Sequence, residues 1–349
     1  MKLFKYILIL ALVPCLISCE DDDEGNKIKE LTVELDKTMI LDDGEDEIHI
    51  TVKDQNGKDV TYEVFIDSDQ QMLTNKKFTS TTTGTVQIRA EYENVVSPNV
   101  EVTVVADAGL KFHKNVLIEQ FTGTWCGWCP RAIYQVAYLM GIDSAINHVA
   151  YHLNDEFSFI YNRDLYDYFG FQYVPVMAVD RMEEWDGTPS KIASMHQPQR
   201  LGLRLEVEGD CNPLEVTVSV KFGRIFAEAL SLTLYVVHDS LVADQANYYD
   251  DDPASVWYQK GNPMTEFVHE NTMVKTATHM LGDLIPADSV SIGGTYTKSF
   301  DITSFTCNDI NRIEVVAFVS YVEGENYFQV INSMACAYGE EKGYELVTK

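Results

Sequence analysis

Trp125-Cys126-Gly127-Trp128-Cys129-Pro130 places two cysteines three residues apart. At the first turn of a helix that spacing lets the sulfurs close a small ring. The unpaired N–H groups and positive dipole end of a helix N-terminus favour thiolate on the leading cysteine and lower its pKa. Cys126 is then the attacking thiolate and Cys129 the sulfur that resolves a mixed disulfide. Pro130 falls in the first turn, where its missing N–H costs little. A zinc reading would need two further ligands, and no second CxxC exists. His148 and His152 are four apart on an expected strand, about 13 Å by the strand rise, too far for one ion. Asp250-Asp251-Asp252 and the acidic run from Asp42 to Glu47 lack EF-hand spacing and read as solvated loops. No metal and no cofactor is expected.

Such a sulfur pair needs a strand to deliver it and a helix to receive it. Residues 116–121 are a short apolar run that reads as a strand. Ile133, Val136, Ala137 and Met140 recur at i, i+3, i+4 and i+7, an amphipathic helix stopping at Gly141. Residues 148–153 read as the next strand, 162–169 as a short helix and 174–179 as a third strand. The order β-α-β-α-β points to an α/β layer fold. Both flanks read as β. Between residues 28 and 106, Leu31, Val33 and Leu35 alternate with polar residues, and so do Ile48, Ile50 and Val52. Asn56-Gly57 marks a hairpin, with Val60, Tyr62, Val64 and Ile66 as the following strand. Short strands with regular turn signals suggest an immunoglobulin-like β-sandwich. From residue 201 onward Leu203, Leu205 and Val207, then Leu214, Val216, Val218 and Val220, then Leu232, Leu234 and Val236 repeat the alternation, as a second sandwich would.

Composition narrows the function classes. The chain has 349 residues, 46% apolar and 11% aromatic, which is enough for packed cores. It carries 26 Lys and Arg against 54 Asp and Glu, a net charge of −28. That excess of anions excludes a nucleic-acid binder and electrostatic docking on anionic lipid. No stretch beyond the N-terminus reaches the ~18 apolar residues of a spanning helix.

Lys2 and Lys5 precede an apolar run from Tyr6 to Ile17, the pattern of a secretory signal. The run ends Leu16-Ile17-Ser18-Cys19, which resembles a bacterial lipobox and implies that Cys19 carries the lipid anchor. Glu20-Asp21-Asp22-Asp23-Glu24 then reads as a solvated tether, and is similar to tracts that send some lipoproteins to the outer cell face. The motif region resembles the thioredoxin superfamily. Val116-Leu117-Ile118-Glu119-Gln120-Phe121 is similar to that family's central strand, and Tyr168-Phe169-Gly170-Phe171-Gln172-Tyr173-Val174-Pro175 to the segment before its cis-proline loop. The resemblance implies a cis Pro175 near the disulfide and substrate backbone held at Val174, with Trp125 and Trp128 facing the partner. It departs at Gln120, where the family has a buried carboxylate six residues ahead of the first cysteine. Glu119 is one residue off and points to the opposite face of a strand. The lipobox, the Glu119-Gln120-Phe121-Thr122-Gly123-Thr124-Trp125-Cys126 stretch and the later Phe267-Val268-His269-Glu270-Asn271 together resemble the outer-membrane-protein-28-related lipoproteins.

The expected organisation is a signal peptide over 1–18, an acidic tether over 19–27, and an immunoglobulin-like sandwich over 28–107. A thioredoxin-like domain over 108–200 and a C-terminal sandwich over 201–349 complete it. An envelope address permits disulfides. Cys211 and Cys307 sit beside turn-like residues and are the favoured pair, with Cys336 a buried free thiol; pairings that use Cys336 stay open. The functional expectation is a lipid-anchored outer-membrane protein that exchanges disulfides with protein thiols. The alternative is a surface binding protein whose CxxC is a structural staple.

Overall fold

The computed structural model describes residues 27–69, 71–324 and 326–347. The expected signal peptide, the lipidated Cys19 and residues 19–26 of the acidic tether lie outside the described residues. The chain forms two compact units. One runs through Leu35 and takes in His49–Phe78 and Val86–Glu101; the other holds Asp36–Ile48, Thr79–Thr85 and everything from Val102 on.

The N-terminal strands are β1 (Leu31–Leu35), β2 (Met39–Leu41), β3 (Ile48–Asp54), β4 (Phe65–Ser68), β5 (Gln71–Met72), β6 (Lys77–Phe78), β7 (Gly84–Tyr92), β8 (Val95–Val96) and β9 (Val100–Val105). Within the first unit β3 lies between β1 and β6, and β4 pairs antiparallel with both β5 and β7. The strand expected over residues 60–66 forms only at β4. The Asp59 carboxylate accepts from the Thr61 N–H (2.9 Å) and hydroxyl (2.6 Å), which turns the backbone there.

The second unit continues with β10 (Val116–Thr122), α1 (Cys129–Ile142), β11 (Ile146–His152), α2 (Asn162–Tyr168), β12 (Val176–Val179), β13 (Glu183–Glu184) and α3 (Pro189–Ala193). Then follow β14 (Leu201–Gly209), β15 (Leu214–Phe222), β16 (Leu230–His238), β17 (Leu241–Gln245), β18 (Met264–His269), β19 (Thr272–Thr276), β20 (Asp283–Leu284), β21 (Thr295–Ile302), β22 (Ile313–Tyr321), β23 (Val330–Ala337) and β24 (Glu341–Lys342). One nine-stranded sheet runs β13-β12-β10-β11-β19-β16-β22-β23, with β20 on β16. A four-stranded sheet runs β21-β15-β14-β24.

This overturns the expected fold class. Strands hold 42% of the chain and helix 10%; among the described residues there are three α-helices, and no thioredoxin-like α/β domain stands between two sandwiches. The physical reason lies at β11. Its outer side is not an edge, because it pairs in parallel with β19 through Ala150 and Thr272, and β19 pairs with β16. The motif strands and the C-terminal strands therefore share one ladder. Every residue of β16 is buried, since both faces are covered. Leu230, Leu232, Leu234 and Val236 pack with β14 and β15, while Tyr235 and Val237 pack with Phe121, Tyr151 and Tyr166.

Candidate functional site

Strand β10 is buried along its whole length, and its pleat sorts the side chains. Val116 and Ile118 pack on Ala132, Val136 and Leu139 of α1. Leu117 and Phe121 face the other way, into the aromatic cluster with Tyr151 and Tyr166. Glu119 shares that second face. It is buried, accepts two 2.8 Å bonds from the Arg181 guanidinium and one of 2.6 Å from the Tyr151 hydroxyl. It is a core anion neutralised by a core cation, not a proton carrier for the cysteines.

Beyond β10 the chain turns sharply. A Cβ on Gly123 would come within 2.7 Å of the Trp125 ring and 3.1 Å of the Leu153 carbonyl, so only glycine fits. The Cys126 N–H donates to the Gly123 carbonyl and the Cys129 N–H to the Cys126 carbonyl. Cys126 and Cys129 are joined as a disulfide with Cα atoms 5.4 Å apart. Helix α1 begins at Cys129 with no side-chain cap and no acidic residue in its first turn, and Pro130 lies at its start. The ring thus sits at an open helix N-terminus, which favours a thiolate once the bond is reduced.

The two tryptophans beside the cysteines flank the ring differently. Trp125 donates from Nε1 to the Leu153 carbonyl at 2.7 Å and lines an open cleft of about 550 Å³ with Asn154, Arg163, Phe171, Tyr173 and Val174. The structure therefore brings Trp125 and Val174 to one cleft, and the Val174–Pro175 peptide is cis. Trp128, half-exposed, stands edge-on against Tyr248 and Tyr249. Cys126 itself is 4% exposed and Cys129 fully buried. Cys211 and Cys307 form a second disulfide, remote in sequence from the first, and Cys336 is a buried free thiol. Burial pushes the Cys336 thiol up to about 11.

His148 and His152, which the sequence marks as a pair too far apart for one ion, are buried on β11, and what the sequence did not show is that His269 joins them. A cavity of about 60 Å³ under α1 is lined by Gln120, Thr122, His148, His152 and His269 together with apolar α1 residues. Both polar atoms of the Gln120 amide, the Thr122 hydroxyl and both ring nitrogens of His148 and His269 lack a hydrogen-bond partner among the described residues. Burial drives the His148 pKa down to about 3, and burial with the neighbouring His152 drives His269 to about 4. His152 is held by Asp155 (2.7 Å), which also accepts from the Thr124 N–H (2.8 Å) in the motif loop. Burial pushes the Asp155 carboxyl up, but its bonds to His152 and to backbone N–H groups outweigh this and hold it below the usual carboxylate range. Strand spacing put His148 and His152 on one face of β11; His269 reaches the same cavity from the end of β18, a meeting that no local spacing signals. Among the described residues no group of three or more His, Cys, Asp or Glu is arranged to hold a metal ion.

The family model for outer membrane protein Omp28 matches residues 162–342, just over half of the chain. The chain belongs to the Omp28 family. The matched span begins beyond the Cys126–Cys129 motif and takes in the Val174–Pro175 turn and strands β12 to β24. Membership supports an outer-membrane location. No curated protein matches the sequence. Among solved structures, HBP35 of Porphyromonas gingivalis is similar in fold, with a TM-score of 0.53 and 19% identity over 65% of this chain and 76% of that one. The adhesin InvE of Yersinia pseudotuberculosis aligns with a TM-score of 0.20 and 9% identity over 88% of this chain and 58% of that one, too distant to carry an argument. Among the described residues of this Omp28 protein no helix is long and apolar enough to cross a membrane.

Proposed function

We propose that this Omp28 protein exchanges disulfides with proteins of the cell envelope or exterior through Cys126 and Cys129. The observation that carries the reading is a sulfur ring at the uncapped start of α1, beside a cleft that brings Trp125 and Val174 together. In the reduced form the Cys126 thiolate attacks a partner disulfide. One S–S bond breaks, a mixed disulfide forms and a partner thiolate leaves. Cys129 then attacks the Cys126 sulfur, restoring the ring and releasing the partner as a dithiol. Run in reverse, the closed ring oxidises a partner dithiol. Val174 and Trp125 hold the partner segment.

Cys19 is the proposed lipid anchor, and the acidic residues after it a tether that presents the protein on the outer surface. The β-rich N-terminal residues act as a spacer. Partners are protein thiols and disulfides, and the charge balance excludes nucleic acid. The near-complete burial of both sulfurs favours a second reading, a surface binding protein in which the pair is a staple. A trap separates the two. Cys129→Ser should retain partners as mixed disulfides on Cys126 that dithiothreitol releases, and Cys126→Ser should retain none. A Cys129→Ser chain that captures nothing from intact cells refutes exchange.

A further inference from the structure

Strands β17 and β18 pair antiparallel, closing at Gln245 opposite Met264, and the chain between them makes an 18-residue excursion. The excursion is tied to itself. Asn247, fully buried, accepts at its Oδ1 from the Tyr249 N–H and donates from Nδ2 to the Trp257 and Gly261 carbonyls. Its own N–H donates to Asn262 Oδ1 across the neck. These bonds tie the excursion into a compact loop.

The loop is fitted to the cysteine motif. The Ala246 N–H donates to the Thr124 carbonyl (2.8 Å) and the Tyr248 N–H to the Gly127 carbonyl (2.9 Å). The buried Gln245 amide donates to the Cys126 carbonyl at 2.9 Å. A Cβ on Gly127 would lie 2.4 Å from the Tyr248 ring, and the Gly127 backbone is not left-handed. The glycine between the cysteines is thus demanded by the space that Tyr248 occupies, not by the turn.

We propose that Tyr248 is a specificity-determining residue for the exchange reaction, resting on the reading of Cys126 above. On this proposal its ring, packed on Gly127 next to Cys126, and the loop bonded to the motif carbonyls act as a roof beside the disulfide, so that Cys126 accepts cysteines carried on thin, flexible segments and excludes those set in rigid folded surfaces. The test uses the purified chain and three reductants: a small phosphine, a flexible peptide dithiol, and the same dithiol held rigidly on a globular carrier. Opening of the Cys126–Cys129 bond is read by alkylation and mass. Wild type should react with the carrier-bound dithiol roughly tenfold more slowly than with the free peptide, because access limits thiol–disulfide exchange. Tyr248→Ala should close most of that gap. Gly127→Ala, which displaces the ring without removing it, should do the same and covers the case in which Tyr248→Ala fails to fold. Equal wild-type rates for free and carrier-bound dithiol, or a gap that both variants leave intact, would overturn the roof. A gap that closes while the Cys129→Ser trap stays empty upholds the roof and refutes exchange as the function; a filled trap with an unmoved gap refutes the roof alone.

Discussion

Acid should expose the cost of keeping His148 neutral. Its imidazole is buried on β11 with neither ring nitrogen paired among the described residues, and burial holds its pKa down to about 3. The unfolded chain protonates the same group near pH 6.5. The stability that neutral His148 contributes is therefore fully present above pH 6.5 and is lost as pH falls from there toward about 3. At about 1.36 kcal/mol per unit, moving from pH 7.5 to 5.0 removes about 2 kcal/mol through this one residue. His269 adds a similar amount over the same window. Glu314 works in the opposite sense. Burial and then the nearby Asp239 push it up to about 7, so its contribution is present at low pH and fades as pH rises through that value. The clean measurement is thus a difference of differences. Urea unfolding followed by far-UV circular dichroism, at pH 7.5 and 5.0, should show wild type losing about 2 kcal/mol more than His148→Gln, because the variant lacks the titrating group. Parallel losses in the two proteins, or a His148 ring that titrates above pH 5 in the native chain by NMR, would refute the argument.

Three further outcomes follow from buried groups. Glu119→Ala leaves the Arg181 guanidinium buried without its carboxylate and should cost about 3–5 kcal/mol in urea unfolding; adding Arg181→Met should recover most of it. Cys211→Ser opens a disulfide joining residues 96 apart and should lower the unfolding free energy measured by urea denaturation by up to about 4–5 kcal/mol on the chain-entropy account. Cys336 should resist iodoacetamide at pH 8 in the native chain and react only in denaturant, read by mass, because its thiol is buried and its pKa is pushed up to about 11.

The motif and the elements beside it were legible because they obey short-range rules. Apolar spacing of 3.6 marked α1, and the alternating pleat put Glu119 and Gln120 on opposite faces of β10. What could not be read was the partner on the far side of β11. The Ala150–Thr272 pairing spans more than a hundred residues and leaves no periodic trace. A subtler signal was present in β16. Thr233, Tyr235 and Val237 are as buried as the leucines and valine between them, because the strand has packing on both faces. Reading only the Leu232, Leu234 and Val236 stripe made β16 look like one wall of a separate sandwich. The intervening Tyr235 and Val237 meet Phe121 and Tyr151 and place the strand inside the same body as the cysteines.

That merger also changes what the cysteine motif is. In a self-contained domain the loop around Cys126 would be shaped by its own strand and helix. Here the Gly123 and Cys126 carbonyls, besides their bonds within the motif, accept from the Gln245 amide, the Thr124 carbonyl accepts from the Ala246 N–H and the Gly127 carbonyl from the Tyr248 N–H, all from the end of β17 and the segment just after it. Gln245 and Asn247 are both fully buried, so the contact is part of the core and not a loose flap. Gly127, between the two sulfurs, is fixed by a ring more than a hundred residues away. The shape of the loop around Cys126 therefore depends on the Omp28 portion as well as on the helix that begins at Cys129.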